Sequence, residues 1–245
     1  MQREILDWPG DLRPGSMEFW LEPHSGRLAN PYTRQQQVIE LPGARWRCAM
    51  SFDRLRTVRA ARMDATLARL RGCVNLVRLF DPRRPAPQAQ LPLGWGYDAT
   101  TTFREGWPWE PGWGSHTFDD ASRFREALAA DGTCITVNGG PQSGASLSTR
   151  GWLPSRQVLA AGDYLGLGEN RLHMVTAQVW SDAGGYAVLP LAPAILPGQA
   201  ALDGLEVRFA APTACFALDD DGQARNPTQW PWSGYTLSFT QSLEV

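Results

Sequence analysis

The chain has 245 residues with 43% hydrophobic and 20% charged side chains, and its formal net charge is −2. This length can bury a core without disulfides, and the charge disfavours a protein that binds nucleic acid through bulk positive charge. No apolar run reaches the ~18 residues of a membrane span, and the amino terminus lacks the apolar segment of a signal peptide. We expect folding in the cytoplasm, no membrane span and no sequence-specific binding of nucleic acid.

The amino-terminal part predicts an extended arm followed by three strands. Residues 1–16 are punctuated by Pro and Gly, which favours the arm. Strands are predicted at Met17–Leu21, Gln35–Leu41 and Arg45–Phe52, and the turn-forming residues of His24–Tyr32 separate the first two.

One helix is predicted next. Asp53 can cap its start and Gly72 can end it. Apolar residues recur between them at the spacing of three or four that a helix requires, at Ala60, Met63, Leu67 and Leu70. The opposite side is either a solvated face or a contact for an acidic partner, and it carries Arg56, Arg59, Arg62 and Arg69. A buried strand is predicted at Cys73–Phe80.

Four of the eleven tryptophans crowd into a Gly- and Pro-rich stretch, at Trp95, Trp107, Trp109 and Trp113. In one interpretation the aromatic rings hold an irregular loop in place or pack into a neighbouring subunit, where Trp is favoured. In the other they form a stacking platform for sugar. These four residues are the candidate contacts for a partner or a glycan.

The stretch Gly151–Gly198 indicates a small all-β module. Its short apolar runs, Tyr164–Leu167, Leu172–Ala177 and Ala187–Leu191, alternate with turns rich in Gly, Asn and Asp. The last strand is predicted at Tyr235–Val245, because apolar and hydroxyl side chains alternate there.

The side chains that carry chemistry do not form an active site. The histidines, His24, His116 and His173, lie far apart, and we expect His173 to point outward from its strand or to a subunit contact. Asp219–Asp221 lacks the alternating ligands of a calcium loop. The four cysteines, Cys48, Cys73, Cys134 and Cys215, lack zinc-site spacing and are expected to be buried, reduced thiols. We predict no catalytic residue, no metal and no cofactor, and therefore no enzyme.

Two sets of phrases resemble the distal tail proteins of bacteriophages. The first comprises NP-(x)2-RQQQVIELPGARWRCAMSF, the predicted helix and LRGCVNLVRLFDP, over roughly residues 18–82. The second comprises GW, L-x-AGDYLxLG, RLHMVT and PAILP, over roughly residues 132–200. The segments TACFALDDD and GYTLSFTQSLEV are similar to the final strands of the same architecture.

The resemblance implies a mainly β fold. A split N-terminal β-sandwich with one helix would use residues 1–90 and 201–245, closed by Leu205–Phe209, Thr213–Leu218 and the last strand. A small β-barrel-like domain would be inserted at residues 132–200, and residues 91–131 would form the Trp/Gly/Pro-rich loop region.

The resemblance also implies a structural protein of the virion. The family forms homohexameric rings at the distal end of a long, non-contractile tail or tail-like particle, between the tail tube and the hub and fibre proteins. The smaller domain lies at the periphery, where it contacts fibres or host saccharide. A carbohydrate-binding receptor-recognition module, a tail-tube protein and a glycosidic tail enzyme stay open as alternatives.

Overall fold

The computed structural model describes residues 3–29, 32, 34–84, 135–168, 170–209, 211–221, 228–229 and 232–243. The fold is mainly β, with a sandwich-like part that carries a helix and a second, nearly closed barrel-like sheet. In these residues the elements are β1 (Ile5–Asp7), β2 (Ser16–Glu22), β3 (Ser25–Ala29), β4 (Gln36–Glu40), β5 (Arg45–Leu55), α1 (Thr57–Leu70), β6 (Leu76–Leu79), β7 (Thr136–Val137), β8 (Gly144–Arg150), β9 (Gln157–Leu159), β10 (Tyr164–Leu167), β11 (Arg171–Val175), β12 (Val179–Trp180), β13 (Tyr186–Ile195), β14 (Val207–Arg208), β15 (Ala214–Leu218), β16 (Thr228–Gln229) and β17 (Trp232–Gln241).

The first sheet joins the two ends of the described chain. Its strand order is β1-β6-β15-β17-β5-β2, with β16 beside the start of β17. The β1–β6 pair is parallel and the other pairs are antiparallel. Alternation along β5 and β17 sends one set of side chains into the core and the other to the outer face. The buried set on β5 comprises Trp46, Cys48, Met50 and Phe52, and that on β17 comprises Tyr235, Leu237 and Phe239.

The core of this sheet is covered by α1 and by the amino-terminal segment. Met63 and Leu70 on α1 are fully buried, and the Tyr235 hydroxyl donates to the Asp64 carboxylate of the helix at 2.7 Å. The Trp8 ring stacks on Phe52, with the ring centroids 5.8 Å apart. The predicted arm is therefore part of the core, because Trp8 supplies a large apolar surface that the sheet needs.

The helix begins later than predicted. Asp53 lies within β5, which continues as far as the buried Leu55, and the residue that precedes the helix is Arg56. The Asp53 cap is wrong because the apolar side chain of Leu55 keeps two further residues in the strand. The end agrees with the prediction, since α1 stops at Leu70 and Arg71 and Gly72 adopt left-handed conformations.

The second sheet curls into a nearly closed barrel. Its order is β14-β10-β11-β13-β8-β7, and an antiparallel bridge between Thr136 and Glu206 brings its two ends together. The Val207 N–H donates to the Ile135 carbonyl at 2.9 Å, and the Val137 N–H donates to the Leu205 carbonyl at 2.9 Å. Closure matters because a closed sheet leaves no exposed strand edge.

Several strand predictions are confirmed and others are wrong. Tyr164–Leu167 is β10, as predicted. The strand predicted at Leu205–Phe209 pairs with β10 in the barrel instead of closing the sandwich. The last strand ends at Gln241, because Ser242 and Leu243 leave the ladder. His24–Tyr32, predicted to be turn-rich, contains β3.

Two predicted side-chain orientations are also wrong. His173 is buried, because β11 is covered on both sides: Leu172 packs into the core of the first sheet, whereas Val175, on the same side of the strand as His173, packs into the core of the barrel. Cys73 is exposed in the turn after α1, ahead of the shorter strand β6, while Cys48 and Cys215 are buried as expected. Cys134 lies outside the described residues.

Candidate assembly interface

A β-hairpin extends beyond the first sheet. Strands β3 and β4 pair from Ser25 opposite Glu40 to Ala29 opposite Gln36. They continue the β2–β5 ladder, whose last pair is Glu22 opposite Arg45, through a hydrogen bond from the Leu41 N–H to the His24 carbonyl at 2.9 Å. The hairpin is thus anchored at its base to β2 and β5.

One side of this hairpin is an aliphatic surface. The register places Leu28, Ile39 and Leu41 on the same face, where they are 68%, 49% and 37% exposed. Gly26 lies opposite Ile39, and a Cβ built on it would meet the Leu41 side chain at 3.6 Å. The hairpin face is defined here as Leu28, Ile39 and Leu41. It belongs to neither of the two buried cores formed by the described residues.

Physical chemistry makes such a hairpin a candidate for contact with a partner. An isolated two-stranded hairpin is at best marginally stable in water. Each Å² of apolar surface removed from water contributes about 25 cal/mol, so covering these side chains would stabilise the hairpin. Contiguous apolar patches on a protein surface commonly mark interaction sites.

Sequence reasoning missed half of this element. The pattern at Gln35–Leu41 identified β4, but Ser25–Ala29 contains Gly, Ala and Ser, which have low strand propensity. The pairing with β4 decides its conformation. The available signal was the sequence Leu-Ala-Asn-Pro-Tyr, a turn-forming stretch between two segments of similar length.

Other strand edges are closed to pairing. Strand β2 lies at an edge of the first sheet, but the Arg83 guanidinium donates to the Phe19 carbonyl there at 2.9 Å. The barrel brings its own edges together at Thr136 and Glu206. Blocking of edges in this way disfavours uncontrolled strand addition.

A cluster of buried polar and aromatic groups fixes the junction between the first sheet and the barrel. The Asp81 carboxylate is fully buried and accepts two hydrogen bonds from Arg83, each at 2.9 Å. The Tyr164 hydroxyl of the barrel lies 3.4 Å from the same carboxylate, and burial together with Asp81 raises the pKa of Tyr164 to about 12. The Trp46 indole donates to the Leu172 carbonyl at 2.9 Å.

Arg84 completes the junction. Its guanidinium lies over the Tyr164 ring, 4.8 Å from the centroid, and donates to the Gly162 carbonyl at 2.9 Å. Because the Asp81 carboxylate is already bonded and the Tyr164 hydroxyl stays protonated at neutral pH, these groups act as structural contacts.

The arginine face of α1 makes intramolecular contacts. Arg62 forms an ion pair with Asp11 at 2.5 Å and Arg69 with Glu4 at 2.8 Å, so both attach the amino-terminal segment to the helix. The Arg56 guanidinium lies 5.3 Å from the centroid of the Trp232 ring. These contacts account for most of the pattern that suggested an acidic partner.

The acidic turn after β15 is also engaged. Asp219 pairs with Arg47 at 3.4 Å, and the Asp221 carboxylate accepts from the Cys73 N–H at 3.0 Å. In the part of the chain that the structure describes, no three His, Cys, Asp or Glu side chains are grouped as metal ligands. No helix among the same residues is long and apolar enough to cross a membrane.

The four predicted contact residues, Trp95, Trp107, Trp109 and Trp113, lie outside the described residues, as does His116. No family model matches the chain, and no curated protein matches it. The function is therefore argued from the hairpin, the two sheets and the phrases of the sequence.

Proposed function

We propose that this chain is a structural protein of a virion, a homohexameric ring at the distal end of a phage tail or tail-like particle. Two features support the proposal. The order of the phrases resembles that of distal tail proteins, and the mainly β fold combines a sandwich-like part carrying a helix with a barrel-like sheet. The proposal assigns no catalytic role and no cofactor.

The observation that carries the proposal is the exposed hairpin face. Leu28, Ile39 and Leu41 project on an arm held only at its base, where a neighbouring copy can cover them. An arm that docks on a different surface of the next copy makes a heterologous contact, and such contacts generate rings when the rotation closes. The blocked edge of β2 and the closed barrel leave this arm as the best-exposed means of association among the described residues.

The proposal gives the two parts of the molecule different roles. The first sheet and its hairpin build the ring, with the tail tube on one side and the hub and fibre proteins on the other. The barrel is fixed to the first sheet through Asp81, Tyr164 and Trp46, so it would hold a constant position around the ring. The ring would occupy the tail tip after folding in the host cytoplasm.

Negative-stain imaging of the full chain tests the proposal. We expect isolated six-fold rings from the wild type and none from a variant carrying Leu28→Ser, Ile39→Ser and Leu41→Ser. The matched control is Val58→Ser, because Val58 is 83% exposed on α1, outside the hairpin. Stacked tubes would favour a tail-tube protein, and rings that persist in the triple variant would refute the role of the hairpin.

A further inference from the structure

A second exposed apolar surface lies on the wall of the barrel. Strands β12 and β13 are joined by a tight turn in which the Asp182 N–H donates to the Tyr186 carbonyl at 2.8 Å. Trp180 and Val188 lie at equivalent positions, two residues outside this hydrogen bond. Alternation sends Trp180, Tyr186 and Val188 outward, and they are 61%, 47% and 60% exposed. These three residues are the aromatic platform.

The platform is held rigidly by the turn beneath it. The Asp182 Oδ1 atom accepts from the N–H groups of Gly184 and Tyr186, each at 2.8 Å. A Cβ built on Gly184 would come within 3.0 Å of two atoms of the Tyr186 ring, so the ring lies directly against the glycine backbone. One side of the ring is therefore supported by the turn, and exposure of 47% leaves the rest to solvent.

Polar groups surround the rings. Arg150 is the cross-strand partner of Tyr186 and remains exposed, although it contacts Thr136 and Asp203. Asp182 is exposed, and its Oδ1 serves the turn, so Oδ2 can accept from a ligand. The charges of Arg150 and Arg156 balance those of Asp182 and Asp203, which disfavours a polyanion and fits an uncharged ligand.

We infer that the aromatic platform binds an uncharged oligosaccharide by stacking on the C–H face of a pyranose ring. In a β-1,4-linked glucopyranose chain all ring hydroxyls are equatorial, so each flat face is a set of axial C–H bonds that matches a supported aromatic ring. Asp182 and Arg150 lie at the edge of the platform, where the equatorial hydroxyls would point. The site belongs to the barrel and does not require ring assembly.

Calorimetric titration of the full chain with cellohexaose and chitohexaose tests this inference. We expect saturable binding, and we expect Tyr186→Ala and Trp180→Ala each to raise Kd about tenfold, a change of about 1.4 kcal/mol. Tyr186→Phe keeps the ring and should bind as the wild type does. The matched control is Trp20→Ala, since Trp20 is also exposed but lies on the other sheet.

Three results would overturn the inference. They are the absence of binding to both oligosaccharides, equal affinity of the Tyr186→Ala and Trp180→Ala variants, and loss of binding only in a Trp107→Ala, Trp109→Ala variant. Unchanged binding by the triple hairpin variant would show that failure of ring assembly and failure of this site are separable.

Discussion

The pH response of the protein is expected to depend on His173. Its Nδ1 atom lies 2.8 Å from the Pro193 carbonyl, and its Nε2 atom is buried without a hydrogen-bond partner in the described structure. Burial, together with the charge of Arg171, lowers the pKa of His173 from 6.5 to about 4, while the Pro193 carbonyl opposes the shift. The folded protein therefore holds a neutral imidazole.

This arrangement predicts a loss of stability in acid. Between pH 6.5 and about 4 the unfolded chain binds more protons than the folded one, so this contribution is present above pH 6.5 and falls as the pH is lowered. Between pH 7 and pH 5 it should cost about 2 kcal/mol. Urea titrations at both pH values should show that wild type loses this much more stability than His173→Leu; equal losses would contradict the assignment.

Gly185 gives a second prediction for a single residue. It has a φ of +76°, and a Cβ built on it would lie 2.4 Å from the Trp152 carbonyl oxygen. Because the obstacle is backbone, Gly185→Ala should lower the free energy of unfolding by about 2 kcal/mol or more. Gly140→Ala, with no heavy atom within 4 Å, should change it by less than about 0.5 kcal/mol. Similar effects of the two variants in thermal unfolding would disprove the steric account.

Single residues also show where sequence reasoning stops. The alternation around His173 was correctly read as a strand, but alternation alone gives a solvent side only when one face of the sheet is exposed. Strand β11 is buried against the first sheet on one side and the barrel core on the other. The packing of two distant segments decided the environment of His173, and no local pattern encodes that contact.

At the scale of the element, α1 separates contributions of packing from those of charge. Met63 is fully buried, whereas the side chain of its neighbour Arg62 is 60% exposed in its ion pair with Asp11. Met63→Ala should destabilise the fold by about 3 kcal/mol through the lost apolar contacts. Arg62→Ala should cost less than about 1 kcal/mol because exposed ion pairs contribute little. Chemical denaturation of both variants measures the difference, and a larger cost for Arg62→Ala would reverse the ranking.

The elements also differ in how well the sequence predicted them. Helix α1 and strand β10 have strong local periodicity, and both were predicted within a few residues. Strand β3 was missed because its pairing with β4, across a turn, determines its conformation. The short strand β14 was assigned to the wrong sheet, because its partner β10 lies some forty residues earlier in the chain. The hairpin face could only be recognised once the register of β3 and β4 was known.

At the scale of the whole molecule, assembly and folding should be separable. The hairpin face lies outside both buried cores, so the Leu28→Ser, Ile39→Ser, Leu41→Ser variant should unfold at the same urea concentration as wild type when both are monomeric. A large loss of stability in the monomer would mean that the face packs within the chain, and it would remove the argument for a neighbouring copy.

The most direct test of the central claim is the solution mass of the full chain by light scattering. The chain has a mass of 27.1 kDa, and we predict that the wild type and Val58→Ser have the mass of a hexamer while the triple hairpin variant has that of a monomer. A wild type that remains strictly monomeric at high concentration, or a triple variant that remains hexameric, would contradict a ring assembled through this hairpin.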